Sequence, residues 1–155
     1  MKNKKLFLLS MLPFILSNCT SNEPLTKVPF NLKNFIEEEM PPQASLLKSE
    51  EEFNSFLKNE RIFTNYPSEE FNDINKKYDA NYFETKDLVA VITQATSSMI
   101  YGYSLKQISK DDSYWCISLT ELAKSGNVTS DMGDFFCYYI ELEKDPGITG
   151  AKLVW

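Results

Sequence analysis

Leu88 to Ala95 reads LVAVITQA, an almost unbroken apolar run rich in β-branched residues. A strand of that kind has no polar face to offer water, so it belongs in the middle of a sheet, covered on both sides. The rest of the chain has to supply that cover. Upstream, Lys27 to Phe35 alternates, with Val28, Phe30 and Leu32 on one side, and predicts a first strand that Pro29 confines to a sheet edge. Ala44 to Leu47 is a short second candidate. Ser49-Glu50-Glu51-Glu52 has the form of a capping box, with acids at the positive end of the helix dipole. Phe53, Phe56 and Leu57 then make the apolar stripe of that helix. Phe71, Ile74 and Tyr78 do the same for a second helix from Glu69 to about Tyr78.

From Tyr82 onward the period is two. Ile100–Ile108, Tyr114–Thr120, Phe135–Glu143 and Lys152–Trp155 read as strands, with turn signals at Lys110-Asp111-Asp112-Ser113 and Asp145-Pro146-Gly147. Helices come early and strands late. The predicted class is α+β: an antiparallel β-sheet or sandwich of about five to seven strands, with one or two helices from the N-terminal half packed on it.

The first nineteen residues, MKNKKLFLLSMLPFILSNC, follow a different logic. Lys2, Lys4 and Lys5 precede an apolar run from Leu6 to Leu16, too short to span a bilayer and shaped like an export signal. Leu16-Ser17-Asn18-Cys19 resembles the lipobox of bacterial lipoproteins, where a peptidase cuts before a lipid-modified cysteine. An ordinary cleaved signal is the alternative. The expected organisation is a lipoprotein signal peptide over 1–18, a lipidated tether over 19–26 and a single domain over 27–155. By analogy with such lipoproteins, Thr20 after Cys19, where an aspartate would retain the protein in the inner membrane, favours the outer one.

Charge and composition then remove function classes. The leader holds 3 of the 16 basic residues, so the mature chain carries 13 against 22 acids, a net charge near −9. That sign repels nucleic-acid phosphates and anionic headgroups, which leaves membrane attachment to acyl chains. The chain has no histidine, which takes away the commonest general base and nucleophile activator. Carboxylate and Ser/Lys pairs such as Asp131 with Asp134, or Ser97 with Lys106, are no more than any acidic chain of this length offers. No phosphate loop, CxxC pair or dinucleotide fingerprint is present. No cofactor or metal is expected.

With Cys19 assigned to lipid, Cys116 and Cys137 remain as a pair in an oxidising compartment. Trp115, Ile117 and Leu119 form the apolar face of one strand, and Phe136, Tyr138, Ile140 and Leu142 that of the other. Both cysteines then lie on the opposite faces, where neighbouring antiparallel strands would let them bridge; two free thiols are the alternative. Tyr114, Phe135 and Tyr139 share those second faces. Cover by the N-terminal strand and helices is the favoured explanation, an exposed aromatic patch for a partner the other. Gly102, between Tyr101 and Tyr103, admits a β-bulge or a close backbone approach. The candidate partner-binding residues are therefore Tyr101, Gly102, Tyr103, Tyr114, Phe135 and Tyr139. A loop of about a dozen residues, with Ser125-Gly126-Asn127 and Asp131 to Asp134, is long enough to suspect a role.

Phe53 with Phe56, Tyr82-Phe83 as a short extended lead-in, Leu88 to Ile92, Gly102-Tyr103, Trp115 to Ile117 and Tyr138 to Ile140 come in a characteristic order. In that order the chain resembles the C-terminal domain of the PrcB-type lipoproteins, accessory subunits of surface protease complexes. The resemblance implies a non-catalytic binding or accessory role toward an exported protein, such as a surface or periplasmic protease complex. A protease-inhibitor-like domain is the alternative, and a histidine-independent hydrolase stands behind both.

Overall fold

The computed structural model describes residues 25–28, 42–58, 69–94, 100–123 and 135–155. The leader, Cys19, the tether up to residue 24, Pro29 to Phe35 of the expected first strand, Ser97 and the 124–134 loop lie outside the described residues.

Among the described residues, seven strands form two sheets. β1 (Thr26–Val28), β6 (Phe135–Glu143), β3 (Lys86–Gln94) and β2 (Gln43–Leu47) make a four-stranded antiparallel sheet in that order. β4 (Ile100–Asp111), β5 (Tyr114–Ala123) and β7 (Gly150–Leu153) make a three-stranded one, with β7 parallel to β5. The α+β expectation holds, with one parallel pair in place of an all-antiparallel sheet.

β3 is the central strand its sequence demands, buried from Asp87 to Thr93. Its two faces serve two cores. Val89 and Val91 face the three-stranded sheet and pack with Trp115, Ile117, Tyr138 and Ile140. Leu88, Ala90 and Ile92 face the other way, under Phe53, Tyr78 and Phe83. Burying each of the valine, leucine and isoleucine side chains stabilises the fold by about 1.5–3 kcal/mol. The result is three layers: helices, four-stranded sheet, three-stranded sheet.

The helix layer begins where the caps place it. In α1 (Glu50–Leu57), Ser49 Oγ accepts the Glu52 amide at 3.1 Å, and Glu52 Oε2 accepts the Lys48 amide at 2.7 Å. α2 (Glu69–Asn75) ends before Tyr78, which nevertheless reaches the core. The predicted lead-in at Tyr82 is instead a one-turn helix, α3 (Tyr82–Thr85). Asp79 Oδ1 accepts the Tyr82 amide at 2.9 Å and so turns the chain locally before the period of two takes over.

The two ends of the sandwich differ. At one, the Asp112-Ser113 hairpin and the Asp145-Pro146-Gly147 turn meet: Thr149 donates to Ser113 O at 2.7 Å, and Lys48 Nζ donates to the carbonyls of Asp145 and Ile148. Fully buried Asp87 accepts the Asp145 amide there at 3.2 Å. At the other end lie Gln94, Ile100, Ala123 and Phe135, where Tyr103 Oη donates to Gln94 O at 2.9 Å.

Candidate functional site

The bridge expected between Cys116 and Cys137 is overturned: both are free and buried. Their strands are not neighbours. β5 pairs with β4 and β7, β6 with β3 and β1. Both residues do face away from the core between the sheets, but on opposite outer surfaces. Packed sheets stand about 10 Å apart, beyond the reach of about 7 Å between Cα atoms that a disulfide tolerates. Burial pushes the Cys137 thiol far above its ordinary range, so it is inert as well as unbridged. Mass spectrometry of non-reduced protein, unfolded and alkylated, is expected to find both cysteines modified. An unmodified pair two hydrogens lighter would overturn this placement.

Of the six residues proposed for partner contact, three are core. Tyr139 is fully buried, with its ring edge-on to Phe53 at 5.8 Å and Tyr78 at 5.3 Å, and its hydroxyl donates to Asn75 Oδ1 at 3.2 Å. The helices do cover that face. Tyr103 is buried, and its backbone N–H donates to Tyr138 Oη at 2.7 Å. Gly102 is buried beside it, and a Cβ there would stand 3.0 Å from the same oxygen. Both readings of Gly102 meet here: β4 has a register irregularity between Ile100 and Gly102, and a backbone is closely approached. The approaching group is the protein's own phenol. The side chain of Phe135 lies outside the described residues.

Tyr101 and Tyr114 are exposed, at 46% and 44%. They do not form one patch. Tyr101 sits where β4 meets Leu122 and Ala123, while Tyr114 pairs with Asp111 at the other end, about 25 Å along the strand. Tyr114 is also occupied: its ring lies over Gly150, where a Cβ would be 2.6 Å away, and Lys152 Nζ stands 5.6 Å from its centroid. Asp111 holds that lysine at 2.5 Å and raises its pKa.

Sequence reasoning missed a cleft of about 590 Å³ beside α1 and α2, a size typical of ligand sites. Buried Phe53 and Tyr78 form its floor, and Glu50, Glu69, Asp73 and Asp79 bring carboxylates to its wall, Asp73 being already paired with Lys76 of the same wall at 2.7 Å. The Asp79 carboxyl is held below its usual range, chiefly by the Tyr82 amide. Such a wall suits a cationic side chain or amine. The signal was present in the sequence as acids on two successive helices, but capping accounted for Glu50 to Glu52 without any need for a cavity. Among the described residues, no group of three or more cysteines and carboxylates is placed to hold a metal ion.

No protein-family model, curated protein or solved structure matches the chain.

The buried tyrosines make the fold sensitive to alkali. Burial raises the pKa of Tyr78 and Tyr139 strongly and that of Tyr103 and Tyr138 less, from an ordinary value of 10.0. Glu141, whose carboxylate accepts the Tyr78 hydroxyl at 3.3 Å, adds to the Tyr78 shift. A raised folded-state pKa leaves stability intact below about pH 10 and removes it as pH rises from there. The urea midpoint is expected to fall steadily above that pH, with a cooperative rise in tyrosinate absorbance that coincides with unfolding. A flat midpoint up to pH 11.5 would contradict the burial.

Proposed function

We propose that the chain is an exported lipoprotein, held on the cell envelope by acyl chains on Cys19, whose β-rich domain has a non-catalytic binding role. The leader carries this reading: a basic start, a short apolar run and Leu16-Ser17-Asn18-Cys19 at its close. Several acyl chains on one cysteine give a hold that a single chain does not, and an acidic body needs it, because its charge offers no attraction to anionic lipid. The partner is an exported protein, and by the resemblance drawn from the sequence the role is that of an accessory subunit to a surface or periplasmic protease complex. The cleft, where Glu50, Glu69 and Asp79 outnumber the Lys76–Asp73 pair, suits a basic segment of such a partner. The outer membrane is the favoured location.

Metabolic labelling with palmitate tests the anchor. Label is expected in the wild-type chain and absent from Cys19→Ala, which is expected to leave the membrane fraction. An unlabelled wild type that fractionates like the variant would remove the basis for the proposal. For the binding role, pull-down of the membrane-extracted protein is expected to recover a stoichiometric partner; repeated recovery of the chain alone would count against it.

A further inference from the structure

If Cys19 is the anchor, the geometry of β1 decides which end of the domain faces the bilayer, and the inference that follows rests on that reading. β1 runs antiparallel to β6, with Thr26 opposite Tyr139 and Val28 opposite Cys137. Followed backwards from Thr26, the chain is therefore heading along β6 toward Glu143. That is the end where the Asp112-Ser113 hairpin meets the Asp145-Pro146-Gly147 turn. Leu25 is fixed in place, packed against the core between the sheets.

From Leu25 to Cys19 is six residue steps, at most about 21 Å fully extended. Continuing the register puts Leu25 level with Ile140, so Glu143 is three residues away and Phe135 five. At the rise of a strand these are about 10 Å and about 17 Å. A tether that continued the line of β1 past Glu143 would have about 10 Å of reach to spare beyond the sheet. Toward Phe135 it would have to reverse at Leu25 and would be almost used up on reaching the end of the strand.

We infer that the end of the sandwich carrying the Asp112-Ser113 hairpin and the Asp145-Pro146-Gly147 turn faces the lipid surface, and that the end carrying Gln94, Ile100, Ala123 and Phe135 points away from it. Exposed Tyr101 lies at the outward end and Tyr114 at the membrane end. Of the two members of the sequence-derived set described as exposed, Tyr101 is then the one presented to a partner arriving from solvent.

Single nitroxide labels on the acylated full chain test this, at Pro146→Cys, Lys106→Cys and Ala123→Cys, all exposed positions. Cys116 and Cys137 are buried and stay unlabelled in the folded protein. The protein is reconstituted in phosphatidylethanolamine–phosphatidylglycerol vesicles with a nickel-chelating headgroup lipid, and relaxation enhancement by the nickel is read for each label. Enhancement is expected to be several-fold stronger at Pro146 than at Ala123, with Lys106 between them. Enhancement at Ala123 equal to or above that at Pro146, in protein that floats with the vesicles, overturns the orientation and leaves the anchor intact. Protein that does not float overturns the anchor and the orientation with it.

Discussion

Replacing Phe53 with alanine is expected to destabilise the domain by about 3–5 kcal/mol, a large share of the stability of a chain this size. Phe53 is 2% exposed and is the hub of the helix-side core. Its ring meets Tyr78 at 5.2 Å, Tyr139 at 5.8 Å and Phe83 at 6.3 Å, which joins α1 to β6 and to α3. Those three rings come from separate stretches of the chain and cannot all move in to fill the space. Urea denaturation reads the result as a lower midpoint with an unchanged slope. Phe53→Leu retains most of the volume and is expected to recover most of the loss, which keeps the test usable if the alanine variant does not fold. An alanine variant within about 1 kcal/mol of wild type would mean that the helix layer does not lean on this residue.

The second large effect lies at Gly102 and Tyr138. Tyr138→Phe removes the oxygen that accepts the buried Tyr103 N–H, and a donor orphaned in this way costs about 1–3 kcal/mol. Gly102→Ala places a methyl 3.0 Å from the Tyr138 oxygen, and Tyr138, at 2% exposure, has little room to retreat, so overpacking of about 1–3 kcal/mol is expected. The double variant loses the oxygen that the methyl would strike. Its cost is therefore expected to fall short of the two single costs added together, by about 0.5 kcal/mol or more. Strict additivity would show that the phenol and the glycine do not meet.

Much of this fold was readable from side-chain periodicity. The LVAVI run is the central strand, Ser49 caps the first helix, and the inward faces are Trp115, Ile117 and Leu119 on β5 and Phe136, Tyr138, Ile140 and Leu142 on β6. Alternation assigns a residue to a face; it does not say which strand lies alongside. That is why the two cysteines looked like partners across a ladder when they occupy different sheets. The misjudged contact residues have a related cause. Ile100 and Tyr103 are three apart and yet both reach the same core, as do Leu105 and Ile108. Each pair straddles a register irregularity, and the extra residue resets the parity on which the reading depended. Tyr139 was correctly set on the far side of its strand. What covers it comes from residues 53 and 78, and no local pattern links those to β6. The acids that wall the cleft stand in plain view on two helices, but that those helices lie side by side has no signature in either one.

The strand order β1-β6-β3-β2 has a bearing on how the polypeptide acquires its shape. β3 has β2 on one flank from early in synthesis, but its other neighbour is not finished until residue 143, and β1 has no neighbour at all before then. β7 joins β5 later still, across the whole of β6. Pairings this distant along the chain are slow to form and give a partly made molecule nothing stable to settle into. A polypeptide threaded through a narrow conduit from its first residue would stay pliable until almost all of it had passed, and would set only on arrival.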